Sequence, residues 1–334
     1  MPRIDKALRY VDVADRIRTW IRRGRYEAGA ILPGQREIAR EFGVSRDSVK
    51  RALRVLEEQG AISTIPSVGC RVESADEGRL RVGYLVVSLL DPFHAGLVRE
   101  LDRVLAERGG ALTVSEGSGP ERARELGATH LIKEYYDGCG WQRDPEGAVY
   151  IGGAPRGRHG IVSDDATGMR LVYEHLRGLG HGRIGYLGMR GAAARSRLDA
   201  LAAAMAADGR ELAAGDTFLT GKTDEGIARA VASLAARDDR PTALVCYDDC
   251  RAASVVRHAT RAGLRVPDDL SVTGFDDCVL ATQLSVRLTT ASFSAARIAE
   301  EAVDILRTPP GGASERRVVE SELRVRESTA PAPR

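Results

Sequence analysis

Residues 36–60, REIAREFGVSRDSVKRALRVLEEQG, constrain the chain more than any other stretch. They read as two helices joined by a tight turn. Val49, Ala52, Leu53 and Leu56 recur at helical spacing and form one apolar stripe. Ser45 suits the N-cap of the second helix, and Gly43 just before it suits a sharp turn. Ser45, Arg46, Asp47, Ser48, Lys50, Arg51 and Arg54 fall at the start of that helix or off the stripe. Such a helix packs its back into a core and offers a polar front. Two helices cannot bury the stripe alone, so a third must precede them. Segment 11–23 supplies it with Val13, Ile17, Trp20 and Ile21. Downstream, Ile62, Ile65, Val68 and Val72 flank a Pro66–Gly69 turn and predict two short strands, a small wing.

The whole of 8–74 resembles a GntR-type winged helix-turn-helix. The resemblance rests on ADRIRTWIRRGRYEAGAILPGQREIA, on FGVSRDSVKRALRVLEEQGAI and on the wing SVGCRV. It departs at Gly34, where the family usually has Ser, and at Cys70, where it usually has Thr. The first departure removes a helix-capping side chain. The resemblance implies operator DNA as a partner, with the second helix in the major groove. Arg36 and Arg46 are then the candidates for a guanine edge or a phosphate, and Arg46 suits bidentate reading of guanine. Ser45, Ser48, Lys50 and Arg51 would add phosphate or base contacts, and Gly69 would approach the minor groove at the wing tip. Asp47 reads as a partner of the helix dipole. The plain alternative for each arginine is a solvated surface group, and for the whole head an all-helical protein-docking module.

Charge distribution agrees with a DNA-binding head. Residues 1–75 hold 15 Lys/Arg against 10 Asp/Glu, whereas the remainder holds 34 against 37. Five cysteines, at 70, 139, 246, 250 and 278, show no CxxC spacing and read as free thiols in a reducing cytosol. The charged opening MPRIDKALRYVDVADR is not a signal peptide, and no apolar run approaches the roughly 20 residues of a membrane span. A cytoplasmic location and no membrane partner follow as expectations.

Beyond a polar linker (SADEGRL; domain boundary 75–80), strand-like and helix-like segments alternate. RVGYLVVSLL, then DPFHAGLVRELDRVLAERGG, then ALTVS open a β-α-β pattern. PERARELGATHLIKEYY allows a short helix and a strand, but the Gly-rich DGCGWQRDPEG shows no helix. From 161 the alternation continues to LSVTGFDD and predicts a doubly wound α/β body. This body resembles the effector domain of LacI/GalR regulators, itself similar to periplasmic sugar-binding proteins. The carrying stretches are DDATGMRLVYEHLRGLGHGRIGYLGM, RPTALVCYDDCRAA, GLRVPDDLSVTGFDD, RLTTASFSAARIAEEAVDIL and ELRVRESTA. The resemblance implies a two-lobed domain over 81–328. Lobe 1 would take about 81–160 and 292–318, lobe 2 about 161–288 and 319–328, with a ligand cleft between them. Region 116–147 departs from the family, because the helix between its third and fourth strands is shortened or lost.

For the cleft, the family places a ligand-binding arginine at Arg197, whose planar guanidinium suits adjacent hydroxyls. Asp248 and Asp276 follow strands and would point into the cleft; at 248 the family commonly has Asn, so this pocket is more acidic. Phe93 could stack on a sugar face or simply pack in the lobe, with Asp91 and His94 beside it. Asp249 and Asp277 read as a helix cap or an inter-lobe hydrogen bond. Catalysis has little support: there is no GxSxG elbow, no GxxxxGK[ST] loop, no dinucleotide fingerprint and no metal-ligand spacing. The expectation is a non-enzymatic, cofactor-free homodimeric repressor, switched by a small molecule such as a sugar. The alternative is a sugar-active enzyme or ligand-binding protein built on the same body.

Overall fold

A computed structural model of the chain describes residues 8–22, 24–58, 61–72, 80–117, 119–135, 148–191, 194–221, 223–307 and 314–333. Most of the predicted linker and the stretch 136–147, with Cys139, lie outside the described residues. Chain packing divides the molecule into two compact units, 1–85 with 105–131 and 86–104 with 132–334.

The first unit opens with three helices, α1 (Leu8–Arg22), α2 (Gln35–Phe42) and α3 (Arg46–Glu58). Val13, Ala14, Ile17, Leu32, Ile38, Val49, Ala52, Leu53 and Leu56 form one buried cluster, closed by Ile62 and Val72. The predicted stripe of α3 is therefore the face that is buried. Gly43 ends α2 in the left-handed region, at φ 64°, where glycine carries no Cβ penalty. Gly34 occupies the N-cap of α2 with no side-chain bond, as its departure from the family implied. Ser45 Oγ accepts the Ser48 N–H at 3.2 Å and opens α3. Ser45→Ala is expected to lower head stability by about 1 kcal/mol, checked by chemical denaturation.

Strands β1 (Ile62–Ile65) and β2 (Gly69–Val72) pair antiparallel, Ile62 opposite Val72. Ile31 bridges to Arg71 and widens the wing. Gly69 sits at φ 129°, and a Cβ there would come within 3.3 Å of Ile31. The unit continues with β3 (Arg81–Val86), and the second unit takes up most of α4 (Pro92–Glu107). Strand β4 (Ala111–Glu116) and α5 (Pro120–Glu125) return to the first. Helix α5, six residues long, is the short helix read in PERARE, whereas the connection between the third and fourth strands, where the sequence predicts a shortened or lost helix, falls at 136–147, outside the described residues.

The second unit contains the remaining elements, with β5 entering it at Ile132. In chain order these are β5 (His130–Glu134), β6 (Val149–Ile151), β7 (His159–Ser163), α6 (Asp165–Gly178), β8 (Ile184–Met189) and α7 (Arg195–Ala207). Then come β9 (Thr217–Thr220), α8 (Asp224–Ala235), β10 (Ala243–Cys246), α9 (Asp249–Arg261), β11 (Ser271–Phe275) and α10 (Leu280–Gln283). The unit closes with β12 (Thr289–Phe293), α11 (Ala295–Arg307), β13 (Arg316–Val319) and β14 (Ser321–Arg324).

Strands β13, β7, β6 and β5 lie side by side in parallel. A second sheet runs β14-β12-β11-β10-β8-β9, parallel throughout except for β14. The near-continuous burial of β8, β10 and β11 is what helices on both faces of a sheet produce. Chain order reverses between β8 and β10, so their connections leave in opposite directions. Such a fork marks the strands' carboxyl ends as the place where α/β sheets take ligands.

Candidate functional site: a carboxylate-lined arginine and an exposed helix face

Arg197 stands in the first turn of α7, directly after β8, and is only 7% exposed. Its Nη2 donates to Asp276 Oδ1 at 2.9 Å, its Nη1 to the Tyr247 carbonyl at 2.6 Å, and its Nε to Asp165 Oδ1 at 3.4 Å. The guanidinium lies 3.8 Å from the Phe275 ring centroid and 4.7 Å from that of Tyr247. Burial alone would lower its pKa, but Asp276 and Asp165 outweigh burial and hold it raised, so Arg197 is a permanent cation. An aromatic plate under a planar five-donor cation suits a ring that carries hydroxyls on its rim.

Each partner leaves a strand end. Asp165 opens α6 after β7 and also accepts the hydroxyls of Ser163 at 2.7 Å and Ser196 at 2.6 Å. Asp276 follows β11 at φ 102°, a conformation unfavourable for a residue with a Cβ. Its N–H donates to the Ala291 carbonyl at 2.8 Å, which anchors the turn. Burial pushes the Asp276 carboxyl up to about 6, with Arg197 opposing. It is therefore ionised and paired at neutral pH.

Phe93, in the first turn of α4, packs on Phe293 at 5.2 Å and on His94 at 5.2 Å. Phe293 lies 6.0 Å from Phe275, so an aromatic chain runs from Phe93 to the plate under Arg197. His94 is buried, with Nε2 3.1 Å from Glu134 Oε1. Burial pulls its pKa down, but Glu134, Asp91 and Asp276 outweigh burial and hold it above the ordinary value.

Asp248 reaches the same edge, but its carboxylate is engaged locally. Oδ1 accepts the Arg251 N–H at 2.7 Å as the N-cap of α9, and the Arg251 guanidinium grips Oδ2. Asp249 is not the cap. It is fully buried, with Thr290 Oγ1 at 2.6 Å and the Cys278 N–H donating to Oδ2 at 2.8 Å. Its neighbour Gly274 leaves room for it, since a Cβ there would lie 2.1 Å from Asp249 Oδ1. Burial, reinforced by Asp276, pushes the Asp249 carboxyl up to about 9, so it is protonated at neutral pH.

A carboxyl raised above its unfolded value favours folding at low pH. That contribution is lost as pH rises from about 4, where the unfolded chain ionises. Asp249→Asn, which cannot ionise, is therefore expected to match the wild type most nearly around pH 4 and to gain stability relative to it as pH rises towards about 9, flattening the decline. Unfolding curves across that range check it. Asp277 donates nothing to the crevice; it pairs with Arg326 at 2.6 Å.

Sequence reading missed Asp165, Ser196, Phe275, Phe293 and Glu134. Asp165 had a usable signal, because SDDATG opens a helix after the apolar HGIV.

On the head, Arg36, Arg46, Lys50 and Arg51 are all exposed, on α2 and along the face of α3 opposite its buried stripe. Ser45 is exposed and Ser48 half-buried at the start of α3, their hydroxyls 2.9 Å apart. Gly69 is exposed at the start of β2. The face is cationic except at Asp47.

Known proteins match both parts. Residues 9–72 match the bacterial regulatory proteins of the gntR family, and residues 173–329 match the periplasmic binding protein-like domain. The arabinose metabolism transcriptional repressor of Geobacillus stearothermophilus is 27% identical over 331 residues, covering 89% of this chain and 90% of the relative. The transcriptional regulator GalR of Escherichia coli K12 is 28% identical over 301 residues, covering 81% of this chain and 87% of the relative. The crystal structure of a LacI transcriptional regulator from a Rhodococcus species superposes with a TM-score of 0.67 at 27% identity. It covers 76% of this chain and 100% of that one.

Head and body together define a two-part, ligand-responsive DNA-binding transcriptional regulator. The chain joins a GntR-type helix-turn-helix head to a LacI-type, periplasmic-binding-protein-like effector domain. Among the described residues no helix is long and apolar enough to cross a membrane.

Proposed function

We propose that the chain is a cytoplasmic, homodimeric repressor of sugar-related genes, with no catalytic step of its own. Its domains are 8–74 and 81–328, with the lobes divided as their sequence resemblance implies. Arg36, Ser45, Arg46, Ser48, Lys50, Arg51 and Gly69 form the DNA face. Phe93, Arg197, Asp248 and Asp276 line the effector crevice, joined by Asp165. The relatives named as an arabinose metabolism repressor and a ribose operon repressor support a sugar as effector.

The convergence of Asp165, Asp276 and the Tyr247 carbonyl on Arg197 carries this reading. These groups come from four separate strand ends yet meet at one point. An arginine so held keeps its geometry when a hydroxylated ligand arrives and needs no reorganisation. Ligand binding shifts the spacing of two heads across a dimer and weakens or strengthens operator binding. A coupling of about 1–3 kcal/mol suffices.

A thermal-shift screen against neutral sugars and sugar phosphates tests the effector. A ligand that binds only the folded chain raises its melting temperature. A chain whose melting no sugar moves would contradict the effector reading. Light scattering is expected to give a dimer, and footprinting an inverted repeat, because two-fold proteins read two half-sites. A monomer protecting one half-site would remove the dimer.

A further inference from the structure

Two cysteines that the effector site does not use lie against each other beside it. Cys250 is in the first turn of α9, half-buried, two residues after Asp248. Cys278 follows Asp276 by two residues, is 9% exposed, and its thiol lies close enough to that of Cys250 to be perturbed by it. The backbone is held in the same register, since the Cys278 N–H donates to Asp249 Oδ2 at 2.8 Å. Residues 276 and 277, just before Cys278, both have left-handed backbones, at φ 102° and 49°. A strained turn is thus pinned to a helix start at one carboxylate, with two thiols facing each other across the same junction.

We propose that Cys250 and Cys278 are a modification site: a dithiol that low-molecular-weight disulfides convert to an intramolecular disulfide, locking the crevice turn onto α9. The step balances as thiol–disulfide exchange. Cys250, the more accessible thiol, gives up its proton, and its sulfur attacks one sulfur of the small disulfide. The S–S bond of the reagent breaks, and one thiol leaves carrying a proton. A mixed disulfide remains on Cys250. The Cys278 sulfur then attacks the Cys250 sulfur, and the second small thiol leaves with the proton Cys278 surrenders. Two protein thiols are oxidised by two electrons, and one small disulfide is reduced to two thiols.

Cys278 is suited to the second role. Its contact with Cys250 and its burial hold its pKa above the ordinary thiol value, so it stays protonated and unreactive until a disulfide forms beside it. Cys246 is fully buried, and burial raises its pKa as well, which removes it as a competitor. In a reducing compartment such a bond is transient, as in redox-sensing proteins. It would fix Asp248 and Asp276 relative to each other, and so bears on the proposed effector site. The chemistry itself does not depend on any effector being bound.

The test treats the reduced full-length chain with oxidised glutathione, alkylates free thiols and maps the peptides by mass spectrometry. A peptide pair joined through Cys250 and Cys278 within one chain is expected. In Cys278→Ser, glutathione should accumulate on Cys250 and stay there. Amide exchange across 276–280 should slow in the oxidised chain and not in Cys250→Ser exposed to the same reagent. Both cysteines alkylated after treatment, or bonds only to other cysteines or between chains, would overturn the proposal. So would a bond that leaves exchange across 276–280 unchanged. These readouts are blind to sugars, so a failed sugar screen leaves the disulfide result standing, and the reverse holds too.

Discussion

Replacing Arg197 by alanine is expected to abolish the effector response while leaving operator binding in place. The same change should destabilise the body by about 3–5 kcal/mol, the usual cost of removing one partner from a buried ion pair. The reasons are on both sides of the pair. Asp165 and Asp276 would face each other without the cation that neutralises them. The Tyr247 carbonyl would lose its 2.6 Å donor, and the Phe275 face its cation. Some of that loss is recovered if Asp276, already pushed up to about 6, takes a proton when Arg197 is gone. The destabilisation should therefore be smaller at pH 5 than at pH 8.

Arg197→Lys is the useful control. It keeps the charge but not the fork, so it should restore much of the stability without restoring the response. Two measurements separate the roles: operator binding with and without the effector, and chemical unfolding at both pH values. An alanine variant that responds normally would place the effector elsewhere. One with wild-type stability would show that the carboxylates do not depend on Arg197.

The head was more legible in the sequence than the crevice, for a physical reason. The stripe Val49, Ala52, Leu53 and Leu56 is a local periodicity, and local periodicity decides which face of a helix is buried. Gly43 and Ser45 announce a turn and a cap through their own chemistry. In the crevice, family resemblance places Arg197 and a strand end places Asp276, and their mutual bond is non-local, 79 residues apart in sequence. Nothing in the spacing links Asp165 to Ser196 or Phe93 to Phe293.

Asp248 and Asp249 show the same limit at closer range. Both follow one strand, and sequence alone does not say which caps α9 and which is buried. The structure decides it through Gly274, whose missing side chain opens the space that the Asp249 carboxyl fills. The short strand β7 carries little signal in the sequence, because HGIVS has only two strongly apolar residues; its pairing with β6 and β13 defines it.

On the DNA face, Arg46→Ala is expected to cost about 1–3 kcal/mol in specific binding and to relax the preference at one base position, if it reads a guanine edge. Lys50→Ala should weaken binding to all sequences more evenly and reduce the salt dependence by about one phosphate's worth. The two residues share α3 and are both exposed, so the contrast between them cannot come from the fold. It comes from geometry. The N-terminal end of a recognition helix points at base edges, whereas the next turn runs past the backbone. Both changes remove a solvated side chain from outside the buried stripe, so thermal stability should stay within about 0.5 kcal/mol of wild type. Titrations of each variant against operator and non-operator duplexes, at several salt concentrations, read affinity, specificity and slope together. Unchanged values in both would mean that α3 does not face DNA. A loss in Arg46→Ala that is equal on every sequence would make Arg46 a phosphate ligand and move base reading elsewhere on the helix, with Arg51 and Ser48 as the remaining side chains within reach of the groove.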